Sequence, residues 1–132
     1  MPEFAQTATT PAPVEEVWKL LHDPSRFPEW WSGIETVRPD GPDDYTLWPS
    51  GYPDFPMAQR LHTERADGRV TISCLVSDLE YCWQLSEEGT GTRIEVEVEI
   101  PETEAHRLAT QQELITTSLQ RLCMLAAAST GE

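Results

Sequence analysis

The chain has 132 residues, of which 39% are hydrophobic and 24% are charged, and this composition is typical of a folded globular protein. The length suits one domain with one core, so we expect residues 1–132 to form a single domain. The formal net charge is −14, which argues against nucleic acid or an anionic membrane as a partner, because both require basic surface.

The first third of the chain predicts one strand and two short helices. Residues 3–10 contain three threonines and favour a strand. Pro13 suits the first turn of a helix, and apolar residues follow it at helical spacing. Asp23 and Pro24 then supply a helix cap and a proline at the first helical position. A second short helix is therefore expected, ending near Gly33.

The middle of the chain predicts antiparallel strands joined by turns. The last strand is the clearest, because aliphatic and charged residues alternate along it and give one buried and one wet face. A loop with three prolines, residues 49–56, separates the second strand of this series from the third. The expected strands cover residues 34–38, 45–48, 57–65, 69–77, 79–86 and 92–100.

The C-terminal segment changes to a helical period. From about residue 102 to residue 128, one stripe recurs at spacings of three and four: Leu108, Gln112, Ile115, Leu119, Leu122 and Ala126. A helix of this length spans about 39 Å and must lie across the sheet. A curved antiparallel sheet with one long helix on its concave face is a two-layer α+β design. We expect a cavity between the two layers, closed at one end by the short helices.

Three features of the chain carry a resemblance to a known family. They are the run of APVEEVW, LLHD, PEWW and IETV within residues 12–37, the WQL to GTGTR segment at residues 83–93, and the long C-terminal helix. The chain resembles the START/Bet v 1-like superfamily, also called SRPBCC, and within it the polyketide cyclase/dehydrase-like group. The resemblance implies a helix-grip fold of about seven strands. Its members include enzymes, lipid carriers and chaperone-associated domains, so it specifies the fold more than the activity.

A two-residue turn at Ser77 and Asp78 would set the register of one hairpin. The predicted pairs are then Val76 with Leu79, Cys74 with Tyr81, Ile72 with Trp83, and Val70 with Leu85. All eight would share the concave face, since opposed residues point to the same side. Cys82 would point outward, so it could not form a disulfide with Cys74.

The concave face and the elements around it supply the candidate site. The expected cavity-lining residues are Trp30, Trp48, Tyr52, Phe55, Ile72, Cys74, Tyr81, Trp83, Gln112, Ile115 and Leu119. Tyr81, Arg60 and His62 are the candidates for proton transfer. The strand of residues 57–65 favours Arg60 and His62 on the convex, wet face, and an inward orientation is the alternative. Inward-facing aromatic residues are also simple core in many proteins.

Several chemistries lack their motifs. The three histidines and three cysteines show no metal-binding spacing, and we find no phosphate loop or dinucleotide fingerprint, so no metal and no cofactor is expected. An odd number of cysteines, with no visible signal peptide and no apolar run of about 18 residues, favours reduced thiols and a cytoplasmic protein. A monomer or weak homodimer is expected.

Three functions remain open at this point. The first is binding of a hydrophobic or polyaromatic small molecule in the cavity. The second is a polyketide cyclase, aromatase or dehydratase that uses the same cavity and works largely by orienting its substrate. The third is a protein-interaction module similar to the chaperone-associated relatives.

Overall fold

A computed structural model describes residues 3–130; the predicted domain limits at residues 1 and 132 lie outside this range. The strands are β1 (Glu3–Thr10), β2 (Ile34–Pro39), β3 (Asp44–Pro49), β4 (Met57–Glu64), β5 (Arg69–Cys74), β6 (Glu80–Glu88) and β7 (Gly91–Glu99). The α-helices are α1 (Val14–Leu21) and α2 (Leu108–Thr130), and three 3₁₀ helices cover Pro24–Glu29, Arg65–Asp67 and Glu102–Arg107.

The seven strands form one antiparallel sheet in the order β1-β7-β6-β5-β4-β3-β2. The alternation predicted for the last strand is confirmed, because Ile94, Val96 and Val98 are fully buried while Arg93 and Glu97 are exposed. With the long helix on its inner face, the sheet has the predicted helix-grip arrangement.

The C-terminal helix begins later than its sequence pattern predicts. Glu104 has a non-helical backbone, with φ of −115°, so Glu102–Arg107 is a separate 3₁₀ segment and α2 starts at Leu108. The main partners of α2 are β1 and α1. Its predicted apolar stripe is buried from Ile115 onward. The helix therefore covers the β1 side of the sheet closely and leaves more room over the strands on the other side.

The two helices after β1 form where the sequence predicts them. The carboxylate of Asp23 accepts a hydrogen bond from the backbone N–H of Ser25 at 3.1 Å, which is the expected cap. The second helix is a 3₁₀ helix, Pro24–Glu29, with Pro28 inside it. This segment and the residues just after it carry Phe27, Trp30 and Trp31 into the core.

The hairpin register predicted for β5 and β6 is wrong by two residues. Ile72 pairs with Tyr81, and Val70 pairs with Trp83. The turn is longer than two residues, because the backbone N–H of Cys74 already donates to the carbonyl of Leu79. Val76 is exposed as a result, whereas it was expected on the buried face. A shift of two residues preserves the side on which each strand residue points, so Cys74 and Tyr81 still face inward.

The three cysteines are free thiols. Between residues 3 and 130, no helix is both long enough and apolar enough to cross a membrane.

Candidate functional site

A cavity of about 200 Å³ lies between the sheet and the start of α2. Inward-facing residues of β3 and β4 form one wall, among them Tyr45, Leu47 and Gln59. Tyr81 of β6 closes the inner side, and Leu114 of α2 forms part of the roof. The cavity therefore lies under the part of the sheet that is far from β1, where α2 does not pack closely.

Gly33 allows the chain to pass along this cavity wall. Its φ is +94°, a conformation that favours glycine, and a Cβ atom at this position would lie 3.3 Å from the Cδ2 atom of Leu114. The glycine therefore suits the turn into β2, and its missing side chain leaves room for Leu114.

Aromatic rings fill the neighbouring part of the interior and separate it from the cavity. The rings of Trp30 and Trp83 meet edge to face, with centroids 5.4 Å apart. Trp31 lies between this packed region and the cavity. Its ring centroid is 5.3 Å from that of Trp83 and 5.2 Å from that of Tyr81. The rings close the inner end of the cavity, and Trp31 is the tryptophan that lines it.

The Tyr81 hydroxyl is fixed by the long helix. It donates a hydrogen bond to the Oε1 atom of Gln111 at 2.9 Å. Burial raises the pKa of Tyr81, and the nearby Cys74 thiol raises it further, while Arg107 acts in the opposite direction. The phenol therefore stays protonated at neutral pH and serves as a hydrogen-bonding group.

Tyr45 supplies the second phenol of the cavity. Its side chain is 1% exposed, and its hydroxyl has no hydrogen-bond partner among the described residues. Burial raises the pKa of Tyr45 well above its usual value, and the proximity of Tyr81 and Cys74 adds to the effect. An unpartnered buried hydroxyl is unusual in a folded protein.

Gln59 and Cys74 form the polar pair on the wall beside these phenols. The side-chain amide of Gln59 donates to the Cys74 sulfur at 3.2 Å, and both residues are buried. This bond uses the amide donor of Gln59 within the protein and keeps Cys74 in place against the cavity.

The mouth of the cavity is a second space of about 350 Å³, lined by Pro49, Tyr52, Phe55, Met57 and Arg107. It shares Pro49, Met57 and Arg107 with the inner cavity. Arg107 is the charged residue of both linings, and its Nε atom lies 3.0 Å from a carboxylate oxygen of Glu104. The site is therefore largely apolar inside and carries one neutralised ion pair at its entrance.

Two of the proton-transfer candidates do not reach the cavity. The side chains of Arg60 and His62 are 63% and 69% exposed, on the convex face of β4. Arg60 pairs with Asp44 at 3.3 Å, and His62 lies 3.6 Å from Glu64. They point outward because Gln59 and Leu61, which alternate with them, take the inner face. Of the three candidates, Tyr81 alone lines the cavity.

The tryptophans and loop aromatic residues that were expected to line the cavity lie in three different places. Trp48 lies on the outer face of β3, where the Arg38 guanidinium stacks over its ring at 5.4 Å, so it does not line the cavity. Tyr52 and Phe55 line the mouth and are largely exposed. Trp30 is core, since its indole N–H donates to the carbonyl of Leu20 at 3.0 Å.

Other predicted lining residues are buried in the core, away from the cavity wall: Ile72, Trp83, Ile115 and Leu119. Gln112 is exposed, and its neighbour Gln111 takes the inward position. Tyr45, Gln59, Gln111 and Arg107 were not among the expected site residues. Arg107, Gln111, Leu114 and Ser118 follow helical spacing, but three of them are polar, so hydrophobicity alone did not reveal this inward row.

No group of three or more potential metal ligands is found in the part of the chain that the structure describes.

The curved sheet, the single long helix and the cavity between them define a helix-grip protein. The chain belongs to the family described as polyketide cyclase / dehydrase and lipid transport, whose pattern matches residues 1–123. No curated protein sequence matches the chain.

Three solved structures illustrate the similarity of fold. XoxI of Bacillus cereus is 15% identical, with a TM-score of 0.79 and 94% of each chain covered. The di-domain ARO/CYC BexL of the BE-7585A biosynthetic pathway is 15% identical, with a TM-score of 0.79, covering 94% of this chain and 46% of that one. A START superfamily protein of Mycobacterium smegmatis is 13% identical, with a TM-score of 0.72, and the alignment covers 98% of this chain and 97% of that one. At these identities the similarity shows the fold alone.

Proposed function

We propose that the protein binds a small, mainly apolar molecule in the cavity between the sheet and α2. The observation that carries this proposal is a space of about 200 Å³ with aromatic and aliphatic walls, next to fully packed core. Close packing is the rule in protein interiors, so a largely apolar space of this size beside packed core is a candidate ligand pocket. The family description, which includes lipid transport, supports the same function.

The size of the cavity restricts what enters it. Pockets for drug-sized ligands are typically about 300–1,000 Å³, so the inner cavity takes a smaller group. A longer ligand would place one ring inside and its remaining atoms in the mouth, against Tyr52 and Phe55. A compact polyaromatic molecule held entirely inside is therefore disfavoured.

The cavity also suits a binding protein better than an acid–base enzyme. Its two buried phenols have raised pKa values and remain neutral at physiological pH. Among the described residues that line it, none is a carboxylate or a histidine. Binding and orientation are what these side chains supply.

A cyclase or dehydratase is the second candidate function. Tyr81 and its bond to Gln111 favour it, because a positioned phenol can polarise a ketone of a bound substrate. BexL, a di-domain ARO/CYC, has the same fold. Incubation with a linear poly-β-ketone analysed by mass spectrometry tests this function: loss of water in wild type but not in Tyr81→Phe would support it, and an unchanged substrate would contradict it.

Titration of the protein with aromatic molecules of one, two and three rings tests binding. Trp31 in the cavity wall is the reporter, and the measurement is tryptophan fluorescence. A saturable change is expected in wild type. The variant Cys74→Phe places a ring in the cavity and should weaken binding at least about tenfold.

Cys82→Phe is the matched control, because Cys82 lies on the neighbouring strand and points to the convex face. It should bind as wild type does. Circular dichroism checks that both variants fold. If Cys74→Phe does not fold, Leu114→Phe replaces it as a milder cavity-filling variant. Equal affinity in wild type and the folded cavity-filling variant would move the binding site elsewhere.

A further inference from the structure

Arg107 carries the positive charge of the inner cavity and its mouth, and it has unused donors. It borders both spaces, and no other described residue of either lining is charged. Its Nε atom is buried 3.0 Å from a carboxylate oxygen of Glu104, but the contact lacks hydrogen-bond geometry, so it is an ion pair only. The side chain is nevertheless 42% exposed. The terminal Nη1 and Nη2 atoms, with two N–H donors each, therefore remain accessible.

The side-chain amide of Gln111 is a second donor on the same wall. Gln111 follows Arg107 at the spacing of one helical turn, and both side chains line the inner cavity. The Oε1 atom of Gln111 accepts the hydrogen bond of the Tyr81 hydroxyl at 2.9 Å. This bond uses the amide oxygen and leaves the two N–H donors of Nε2 for another partner. The wall formed by α2 therefore presents neighbouring donors from two side chains.

The charge of Arg107 acts inside the cavity. Burial is the main cause of the raised pKa of Tyr81, and Arg107 acts against it, so the guanidinium is close enough to influence the phenol. The protein has a formal net charge of −14 and repels anions at long range. An anion is therefore held here only through direct contact with the donors of this wall.

A carboxylate is the group that matches these donors. A guanidinium forms two parallel N–H···O bonds with the two oxygens of a carboxylate, and such charge-assisted bonds are roughly twice as strong as neutral ones. An amide donor beside the pair can bond a further lone pair of the same oxygens. Glu104 occupies the Nε side of Arg107, so its own carboxylate lies close to the one that would bind.

The rest of the ligand has to fit the inner cavity. An engineered apolar cavity of about 150 Å³ accepts benzene, and the cavity here is about 200 Å³. One ring therefore fits against the apolar walls, which include Trp31, Leu47 and Leu79. A short chain would then bring the carboxylate to Arg107, at the boundary with the mouth.

We infer that the ligand is a carboxylic acid with one ring on a short chain, and that Arg107, with the amide of Gln111 beside it, selects its carboxylate at the boundary between the inner cavity and the mouth. The inference rests on the proposed function and names the chemical class of its ligand. Arg107 is a specificity-determining residue. Glu104 limits the affinity, because its carboxylate pairs with the same guanidinium and repels a second one.

A matched pair of compounds tests this selection. The anion 3-phenylpropionate and the neutral 3-phenylpropionamide have nearly the same shape, and at neutral pH they differ in charge. Binding of each to wild type and to variants is measured from chemical-shift changes in two-dimensional ¹H–¹⁵N NMR. Wild type should bind the anion about tenfold more tightly, as expected for hydrogen bonds to a charged group. Arg107→Met should lose this preference and keep its affinity for the neutral compound.

Three further variants separate the role of Arg107 from a general effect of charge. Arg121→Met removes the same charge from an exposed position of α2 that borders neither space, and it should bind as wild type does. Glu104→Gln removes the competing carboxylate, so it should tighten binding of the anion several-fold and leave the neutral compound unchanged. Gln111→Glu keeps an acceptor for the Tyr81 hydroxyl but replaces the amide donor by a carboxylate, so it should weaken binding of the anion.

The outcomes separate the inference from the proposed function. If wild type bound the neutral compound as tightly as the anion, selection of a carboxylate would be overturned and the cavity would remain a binding site. An undiminished preference in folded Arg107→Met, or no tighter binding of the anion in Glu104→Gln, would overturn the role of Arg107. Chemical-shift changes with neither compound would count against both proposals. The comparison within wild type decides the question of charge even if a variant does not fold.

Discussion

The concave face of the sheet has two ends that differ in how they are filled. At one end, Phe27, Trp30 and Trp83 are fully buried and pack edge to face. At the other end, Tyr45 and Tyr81 face a cavity of about 200 Å³. The walls of both ends are aromatic, so residue type alone does not decide which end becomes core.

The difference lies in what covers each end. The segment after α1 inserts its rings over β6, beside the region where α2 packs against β1 and α1. The strands β3 and β4 lie further from that contact, and the first turns of α2 and the preceding 3₁₀ helix cover them together with Phe27 and Trp31. Polar groups line the space that is left there. The packed aromatic end therefore stabilises the fold, and the end with the cavity is the candidate binding region.

Removing a ring from the packed end should have the largest effect on stability. Trp30→Ala deletes a fully buried ring and the hydrogen bond to the carbonyl of Leu20, and should lower the free energy of unfolding by about 3–5 kcal/mol. Urea unfolding followed by circular dichroism measures this change.

Trp48→Ala is the control for this experiment, because Trp48 lies on the outer face and contacts Arg38. It should cost about 1 kcal/mol or less. If the two variants were equally destabilised, the aromatic cluster would not be the core that its packing indicates.

Alkaline pH should act on the open end, where the two buried phenols lie. Burial raises the pKa of Tyr45 and of Tyr81 above the ordinary value of 10.0, which applies in the unfolded chain. Above about pH 10 the unfolded chain loses protons that the folded protein keeps, so the unfolding free energy falls as pH rises. The slope approaches about 1.4 kcal/mol per pH unit for each phenol once the phenols of the unfolded chain are mostly ionised, above about pH 11. Denaturant unfolding between pH 9 and pH 12 measures it.

Tyr45→Phe removes one of these two phenols and should reduce the slope by about 1.4 kcal/mol per pH unit. Trp30→Ala changes the packed end and should leave the slope as in wild type. A Tyr45→Phe slope equal to that of wild type would mean that Tyr45 ionises as readily in the folded protein as in the unfolded chain.

A substitution on the convex face should have the smallest effect on the unfolding free energy, because this face is far from both ends of the interior. Glu99 lies directly between Glu3 and Glu80 on neighbouring strands, and all three are exposed. Like charges opposed across strands are destabilising, so Glu99→Gln should raise the unfolding free energy by a few tenths of a kcal/mol. The gain should disappear in about 1 M salt, where charges are screened within about 3 Å.

Glu113→Gln, on the exposed side of α2, is the matched control and should change less. A gain from Glu99→Gln that persists at high salt would show that repulsion between carboxylates is not its cause.

Local patterns in the sequence were sufficient for the fold. The alternation from Ile94 to Val98 and the apolar spacing from Ile115 onward depend only on the geometry of a strand and of a helix. The turn between β5 and β6 was harder, because its length depends on where backbone hydrogen bonds close, as between Cys74 and Leu79. Apart from Val76, which lies in the turn, the inner-facing residues of this hairpin were still predicted correctly, since the error in register was an even number of residues.

The candidate site was only partly visible in the sequence. Tyr81 and Cys74 were expected to face inward, and they do. Gln111 was missed, because a helix face that carries polar groups towards a cavity has no apolar signature. Of the two adjacent tryptophans, Trp30 was the one expected to line the cavity, whereas Trp31 does so. The two side chains are chemically identical, and the 3₁₀ turn before them determines which one reaches the cavity.

The sequence by itself determined the elements, their order and the inward face of most strands, because these depend on periodicity and on residues close together in the chain. Only the tertiary structure decided where the cavity lies and which groups border it. That outcome depends on how closely α2 approaches each strand and on which rings fill the space between them. It is why Tyr45, which the sequence did not connect with the site, borders this cavity.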